Sequence, residues 1–259
     1  MKLHQPKPPK FYPVEYLQGS LPMGGFVNNT PIYAVIPSPT LLAPEQWIDN
    51  TSRHTINLAN KLAFTVENVL TDDEADAIVA LTEQLGYRDE APGIQTPPGM
   101  RMNQSVHWLA DETFLANLYH RLRRHLPSTL DTDPLADRFS QRINMYKYNQ
   151  NDVFNRHIDG DWPGYGLSAD QKSMVQWPGM RSKLTMLLYL NGPEEGVRGG
   201  VTYLYQNDGQ RLSVTPKKGR ALFFRHGHSP DSVLHEGAKV LSTTSKYVAR
   251  VNILYHGRF

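Results

Sequence analysis

The stretch Phe154-Asn155-Arg156-His157-Ile158-Asp159-Gly160 sets an imidazole and a carboxylate two residues apart. On an extended backbone side chains alternate between faces, so His157 and Asp159 point to the same side. Both are ligand types for a divalent metal, and a third donor must come from elsewhere in the fold. The candidate is His235, in Ser232-Val233-Leu234-His235-Glu236-Gly237, at the end of an apolar run with strand character. Two histidines and one carboxylate on a triangular face leave three coordination positions open, the donor pattern of non-haem Fe(II) sites. The chain has ten histidines, so rival groupings need weighing. His226-Gly227-His228 is a superficially better chelate, but it falls in a Gly/Pro/Ser-rich loop without a carboxylate, and is expected to be a solvent-exposed or substrate-side loop. His107, His120 and His125 fall in a helix or its approach, where a surface or core-edge position is expected.

Composition narrows the metal chemistry further. The chain of 259 residues contains no cysteine, which excludes disulfides, thiolate-held zinc, iron–sulfur clusters and thiol nucleophiles. A metal here must be held by nitrogen and oxygen. The formal net charge of +2 argues against a dedicated nucleic-acid or membrane-surface protein. No apolar run is long enough to span a bilayer, and the segment Met1–Gly19 lacks the apolar stretch of a secretory signal, so the expected location is the cytoplasm.

Two helices and a series of strands must position these residues. Thr71-Asp72-Asp73-Glu74 reads as a capping box, followed by Ala75, Ile78, Val79, Leu81 and Leu85 at helical spacing and by Gly86 as a stop. A second helix is expected from about Asp111 to His125, with Phe114, Leu115, Leu118 and Leu122 as its apolar stripe. Beyond residue 138 the pattern turns to strands. Arg142–Tyr148 alternates Ile143 and Met145 against Asn144 and Tyr146. Lys183–Asn191, Gly199–Tyr205, Arg211–Pro216, Gly219–His226 and Lys246–His256 follow, with turns at Asn191-Gly192, Asp208-Gly209 and Lys218-Gly219. Helices followed by antiparallel strands predict an α+β chain whose strands close into a sandwich or barrel. Residues 1–60 carry recurrent prolines and little period. They read as a proline-rich N-terminal extension that wraps or caps a body at 61–259, with a disordered start and with Tyr33 and Trp47 able to pack onto the core. Gly160–Arg181 is a candidate lid.

From Arg142 to Tyr255 the order of motifs resembles the prolyl-4-hydroxylase-like branch of the Fe(II)/2-oxoglutarate-dependent dioxygenases. The matching stretches are Arg142–Tyr148, Phe154–Gly160, Lys183–Asn191, Gly199–Thr202, Pro216–Phe224, His235–Val240 and Lys246–Tyr255, with helical support upstream from Leu70 to Gly86 and the Met100–Asn103 segment. The resemblance implies a double-stranded β-helix (jelly-roll) core with supporting N-terminal helices. It implies Fe(II) held by His157, Asp159 and His235, with 2-oxoglutarate and O2 as co-substrates. Lys246 and Arg250 lie four residues apart on one face of the last strand, and either can meet the distal carboxylate of 2-oxoglutarate. Arg250 is preferred for its planar fork, with Lys246 in reserve. Tyr189 and Tyr148 match family tyrosines that hydrogen-bond the co-substrate, and Thr185 and Leu187 are expected in the same pocket. Arg101, Asn103 and Trp162 are expected near the opening, on the substrate side.

The expected reaction is hydroxylation of a C–H bond in a peptidyl or small-molecule substrate, with release of succinate and CO2. One rival is an oxidative nucleic-acid demethylase, suggested by Arg250-Val251-Asn252. That pattern continues to a second arginine where this chain has His256, and the near-neutral charge disfavours nucleic acid. The other rival is a non-catalytic barrel that binds without turning over. It ranks last, because all three ligand positions are filled.

Overall fold

The computed structural model describes residues 10–36, 40–43 and 50–257. β1 (Lys10–Ser20) and β2 (Phe26–Ile36) form an antiparallel hairpin, followed by β3 (Ser52–Thr55), β4 (Ala63–Glu67) and α1 (Asp72–Leu85). The start of α1 follows from its sequence. The Thr71 hydroxyl accepts from the Glu74 amide, and the Glu74 carboxylate accepts from the Thr71 amide. Glu74 also takes a bidentate pair from Arg121, which ties α1 to α2 (Glu112–Leu122). One 3-10 turn carries α2 on to His125. Between the helices lie β5 (Ala91–Pro92) and β6 (Gln104–Leu109). After them come β7 (Thr129–Leu130), β8 (Asp133–Phe139), β9 (Arg142–Tyr148), β10 (Phe154–His157), β11 (Pro163–Leu167) and β12 (Met174–Tyr189). The last five are β13 (Thr202–Tyr205), β14 (Arg211–Val214), β15 (Ala221–Arg225), β16 (His235–Gly237) and β17 (Lys246–His256).

The strands form two sheets. The larger runs β3-β4-β15-β12-β17-β9-β6-β2-β1-β5, with β7, β8 and β11 attached beside this path. The smaller runs β10-β16-β13-β14. The two lie face to face as the double-stranded β-helix that the motif order implies.

Strand parity divides the large sheet into two faces. Ile143 and Met145 of β9, Leu184, Met186 and Leu188 of β12, and Ala249, Val251 and Ile253 of β17 pack with Ile78, Leu81, Leu115 and Leu118 of the helices. The alternate positions of the same strands face the small sheet. There Tyr146, Tyr148, Leu187, Tyr189 and Val248 meet Phe154 and Leu204. The polar residues Asn144, Thr185, Lys246, Arg250 and Asn252 share this inner parity and are all buried.

Several expectations change shape. The described part of the 1–60 stretch carries strands: β2 runs parallel to β6, pairing Ile32 with His107 and Tyr33 with Trp108, and so lengthens the large sheet. Tyr33 packs on the core. Residues 1–9, at the start expected to be disordered, and Trp47 lie outside the described residues. The candidate lid is a hairpin, because β11 pairs with the first half of β12 from Gly164–Trp177 to Leu167–Met174. This pairing starts β12 nine residues before Lys183, where sequence alternation first shows. His107 is not at a surface or core edge but fully buried on β6, where the Arg142 guanidinium donates to its Nδ1. Its apolar neighbours Val106, Trp108 and Leu109 mark a strand buried on both faces, which carries no helical period.

Candidate metal centre and the cavities around it

β10 and β16 pair antiparallel in a register that puts His157 directly across from His235. Asp159 follows two residues beyond His157, so three donors from distant parts of the chain converge. One atom from each lies within 4.8 Å of the others. His157 Nε2 is 3.5 Å from Asp159 Oδ1, and His235 Nε2 is 3.8 Å from Oδ2.

The backbone fixes which ring nitrogens face the centre. His157 Nδ1–H donates to the Asn155 carbonyl at 2.7 Å, and His235 Nδ1–H to the Val233 carbonyl at 3.1 Å. That leaves the two Nε2 lone pairs directed at Asp159, the tautomer a divalent metal requires. Aromatic packing holds the rings in place: His157 stacks on Phe154 at 3.7 Å, and Phe224 lies 4.3 Å from His235. Burial, with His157 beside it, pushes the His235 imidazole down to about 3, so this ligand is neutral. Burial alone would raise the Asp159 carboxyl, but Arg250 and the two histidines hold it well below the usual carboxylate range. An ionised carboxylate and two imidazoles offering Nε2, with no sulfur, form a donor set that fits Fe(II).

A second layer orients Asp159. Its Oδ2 accepts from Thr185 Oγ1 at 2.6 Å and from Arg250 Nε at 3.0 Å. With its hydroxyl hydrogen given to Asp159, Thr185 accepts from His226 Nδ1–H at 2.7 Å. His226 Nε2 then accepts from Ser182 Oγ at 2.8 Å, and Ser182 Oγ accepts from the Trp162 amide. Burial, with the nearby Arg250 charge, pushes His226 down to about 4, consistent with a neutral ring in this chain of bonds. The substrate-side loop and the metal ligand are thus joined by one directional relay. The expectation that His226-Gly227-His228 is a solvent-exposed or substrate-side loop is corrected for His226, which is buried, while His228 is exposed. Its local Gly/Pro/Ser composition concealed that the residue closes β15 against β12.

Two cavities meet at the triangle and share Tyr146, Phe154, His157, Asp159 and Arg250. The inner one runs between the sheets to Tyr148, Leu187, Thr202 and Lys246. Lys246 is 2% exposed, and its Nζ donates to the Gly200 carbonyl at 2.6 Å. It lies 5.1 Å over the Tyr148 ring and 5.5 Å over that of Tyr189. Gly200 has φ +64, and a Cβ there would come within 3.0 Å of the lysine stem, so glycine is needed for this contact. Burial pushes the Lys246 ammonium down to about 7. Tyr189 stands behind the cavity wall, its hydroxyl paired with Thr202 Oγ1 at 2.7 Å.

The outer cavity, of about 300 Å³, is bounded by Ile94, Thr96, Met100, Ile158 and Trp162. Of the three expected substrate-side residues, Trp162 lines it. Arg101 and Asn103 are fully buried behind the wall. Arg101 donates to the carbonyls of Asn103, Ser20 and Asp89, and Asn103 Nδ2 to that of Gln104. Arg142, Tyr146, Ser182 and His226 are not singled out as site residues in the sequence, whereas Thr185 is expected in the co-substrate pocket. Arg142 and Tyr146 carry a usable signal in retrospect, since they share the inward parity of β9.

Among the described residues no helix is long and apolar enough to cross a membrane. Residues 143–254 match the model of the 2OG-Fe(II) oxygenase superfamily. No curated protein matches the chain. Among solved structures, a Pseudomonas putida prolyl-4-hydroxylase is similar with a TM-score of 0.50 and 18% identity, over 78% of this chain and 96% of the other. A viral collagen prolyl hydroxylase from Paramecium Bursaria Chlorella virus-1, as its 2OG complex, gives 0.51 and 18% over 78% and 100%. A prolyl hydroxylase from Trichoplax adhaerens, in complex with a hypoxia inducible factor peptide fragment, gives 0.51 and 18% over 75% and 82%. These likenesses establish a shared fold. The stretch that is similar to this superfamily contains all three members of the triangle and the residues lining the inner cavity.

Proposed function

We propose that the protein hydroxylates a C–H bond of a peptidyl or small-molecule substrate, releasing succinate and CO2. The observation that carries this reading is the His157–Asp159–His235 triangle at the junction of the inner and the outer cavity. When bound, Fe(II) and 2-oxoglutarate supply the O2-dependent oxidation; the protein supplies placement. His157 and His235 offer Nε2, their Nδ1–H groups being committed to backbone carbonyls. Thr185 and Arg250 keep Asp159 Oδ2 turned from solvent and so fix the carboxylate's orientation.

The inner cavity is the place for 2-oxoglutarate. Lys246, at its far end beside Tyr148 and Thr202, is the cation we assign to the distal carboxylate, ahead of Arg250. Arg250 Nε already donates to Asp159, and its guanidinium borders both cavities. Tyr189 would act through Thr202, not by direct contact. The outer cavity, with Trp162 on its wall, receives the substrate. The peptide complex of the Trichoplax adhaerens relative supports a peptidyl substrate, and the cavity volume accommodates a side chain or a small molecule equally.

Anaerobic addition of Fe(II) and 2-oxoglutarate should produce a weak visible metal-to-ligand charge-transfer band, and exposure to O2 should release succinate. Hydroxylated product would be heavier by one oxygen atom. No band in wild type, or a band that survives both His157→Ala and His235→Ala, would show the site to be elsewhere.

A further inference from the structure

Buried positive charge collects on the substrate side of the triangle. Arg250 is 4% exposed and borders the outer cavity, and its Nη2 has no hydrogen-bond partner among the described residues. Arg142, 5% exposed, lies directly behind the wall: its guanidinium carbon is 5.5 Å from the Trp162 ring. A Cβ on Gly93 would stand 3.4 Å from Arg142 Nη2. Arg142 Nη2 donates to the Pro92 carbonyl and to His107 Nδ1, while its Nε has no partner among the described residues. Because His107 accepts at Nδ1, its proton sits on Nε2, a third buried donor without an acceptor among the described residues.

Against these donors the cavity wall presents one carboxylate, Asp159, which the metal claims. With Fe(II) and dianionic 2-oxoglutarate in place, Asp159 and Lys246 balance the inner charges, so the two guanidiniums leave a net positive charge even though Arg250 Nε stays bound to Asp159. Buried guanidinium donors left without an acceptor are retained where a ligand completes them. Burial, with the Arg250 charge adding to the effect, pushes the Arg142 guanidinium down to about 10.

We propose that Arg250, backed by Arg142, forms an anion subsite in the outer cavity, and that the substrate carries a carboxylate held there beside the carbon to be oxidised. This deepens the proposed function and rests on it. The carboxylate has two possible sources, a free acid or an Asp or Glu side chain of a peptide. In either case the planar forks suit two-point recognition, and the low dielectric strengthens the discrimination against a neutral amide.

The test compares acids with their isosteric amides. The twenty L-amino acids and their amides form one arm; acetylated, amidated hexapeptides bearing Asp or Glu, with their Asn and Gln counterparts, form the other. Binding to the anaerobic Fe(II)–2-oxoglutarate enzyme is read by calorimetry and by displacement of the charge-transfer band. Succinate release is read separately. At least one arm should show an acid preferred over its amide by about tenfold or more. Arg142→Gln should reduce that preference by about tenfold, and Arg142→Lys, which keeps the charge but not the fork, should recover only part of it. A merely structural arginine would weaken acid and amide alike, which overturns the proposal. So would amides binding as well as acids in both arms, or no binding in either arm. Absence of the charge-transfer band itself would instead remove the dioxygenase site on which the inference stands.

Discussion

The two faces of β9, β12 and β17 are made by alternate residues of the same strands, yet they are chemically unlike. The outer face sets Ile143, Met145, Leu184, Met186, Leu188, Ala249, Val251 and Ile253 against two helices. The inner face sets Arg142, Asn144, Thr185, Lys246, Arg250 and Asn252 around two cavities. Both faces are buried, so burial does not distinguish them; satisfaction does. The apolar face is complete within itself, whereas the inner face keeps Arg142 Nε, Arg250 Nη2 and Asn252 Oδ1 without partners among the described residues. One face holds the barrel together and the other waits for ligands.

The largest effect should come from the inner face. Asp159→Ala removes the only anionic ligand and leaves the buried Arg250 guanidinium without its carboxylate. Succinate release should fall below detection, and Fe(II) binding by calorimetry should be lost while circular dichroism still shows the folded sheet. An Asp159→Ala protein that turns over 2-oxoglutarate at near wild-type rates would break the distinction between the faces.

The next effect tests the outer face. Leu188 is 1% exposed and packs with the helix-side core. Leu188→Ala should cost about 2–5 kcal/mol of stability in urea unfolding, from lost burial and the cavity left behind. The folded fraction should keep the charge-transfer band with an unaltered 2-oxoglutarate requirement. Loss of less than about 1 kcal/mol, or a displaced band, would mean that the helix-side core does not act as independent support.

Much of this division was legible in the sequence, because strand parity is local. His157 with Asp159, Lys246 with Arg250, and Ile143 with Met145 fall on shared faces by their spacing alone, and Thr71 with Glu74 announced α1. What stayed hidden depends on pairing between distant segments. His226 looked exposed from its Gly/Pro/Ser neighbours, yet Thr185 and Ser182 across the sheet receive it. Arg142 opens a matching stretch, but nothing local marks it as a site residue; its proximity to Arg250 follows from the β9–β17 register, which sets Arg250 opposite Asn144. Parity also left Lys246 and Arg250 equivalent. They are separated by their position along the strand, one facing Gly200 at the closed end and the other Asp159 at the junction.

That separation has a consequence in pH, the smallest of the three effects and the one that ranks the two cations. Lys246 is pushed down to about 7 by burial, so above that pH the free site holds a neutral amine. A bound carboxylate restores the ammonium, and each binding event must then take up a proton. Affinity for 2-oxoglutarate should therefore be greatest below about pH 7 and fall by up to about tenfold per unit above it, one pKa unit being about 1.4 kcal/mol. Calorimetry of the anaerobic Fe(II) enzyme in buffers of different ionisation enthalpy would read the proton directly, and Lys246→Met should weaken binding and abolish the slope. A guanidinium remains charged throughout this range. If Arg250 were the anchor, affinity would be flat with pH and no proton would be taken up, and the inner cavity would lose its claim on the distal carboxylate.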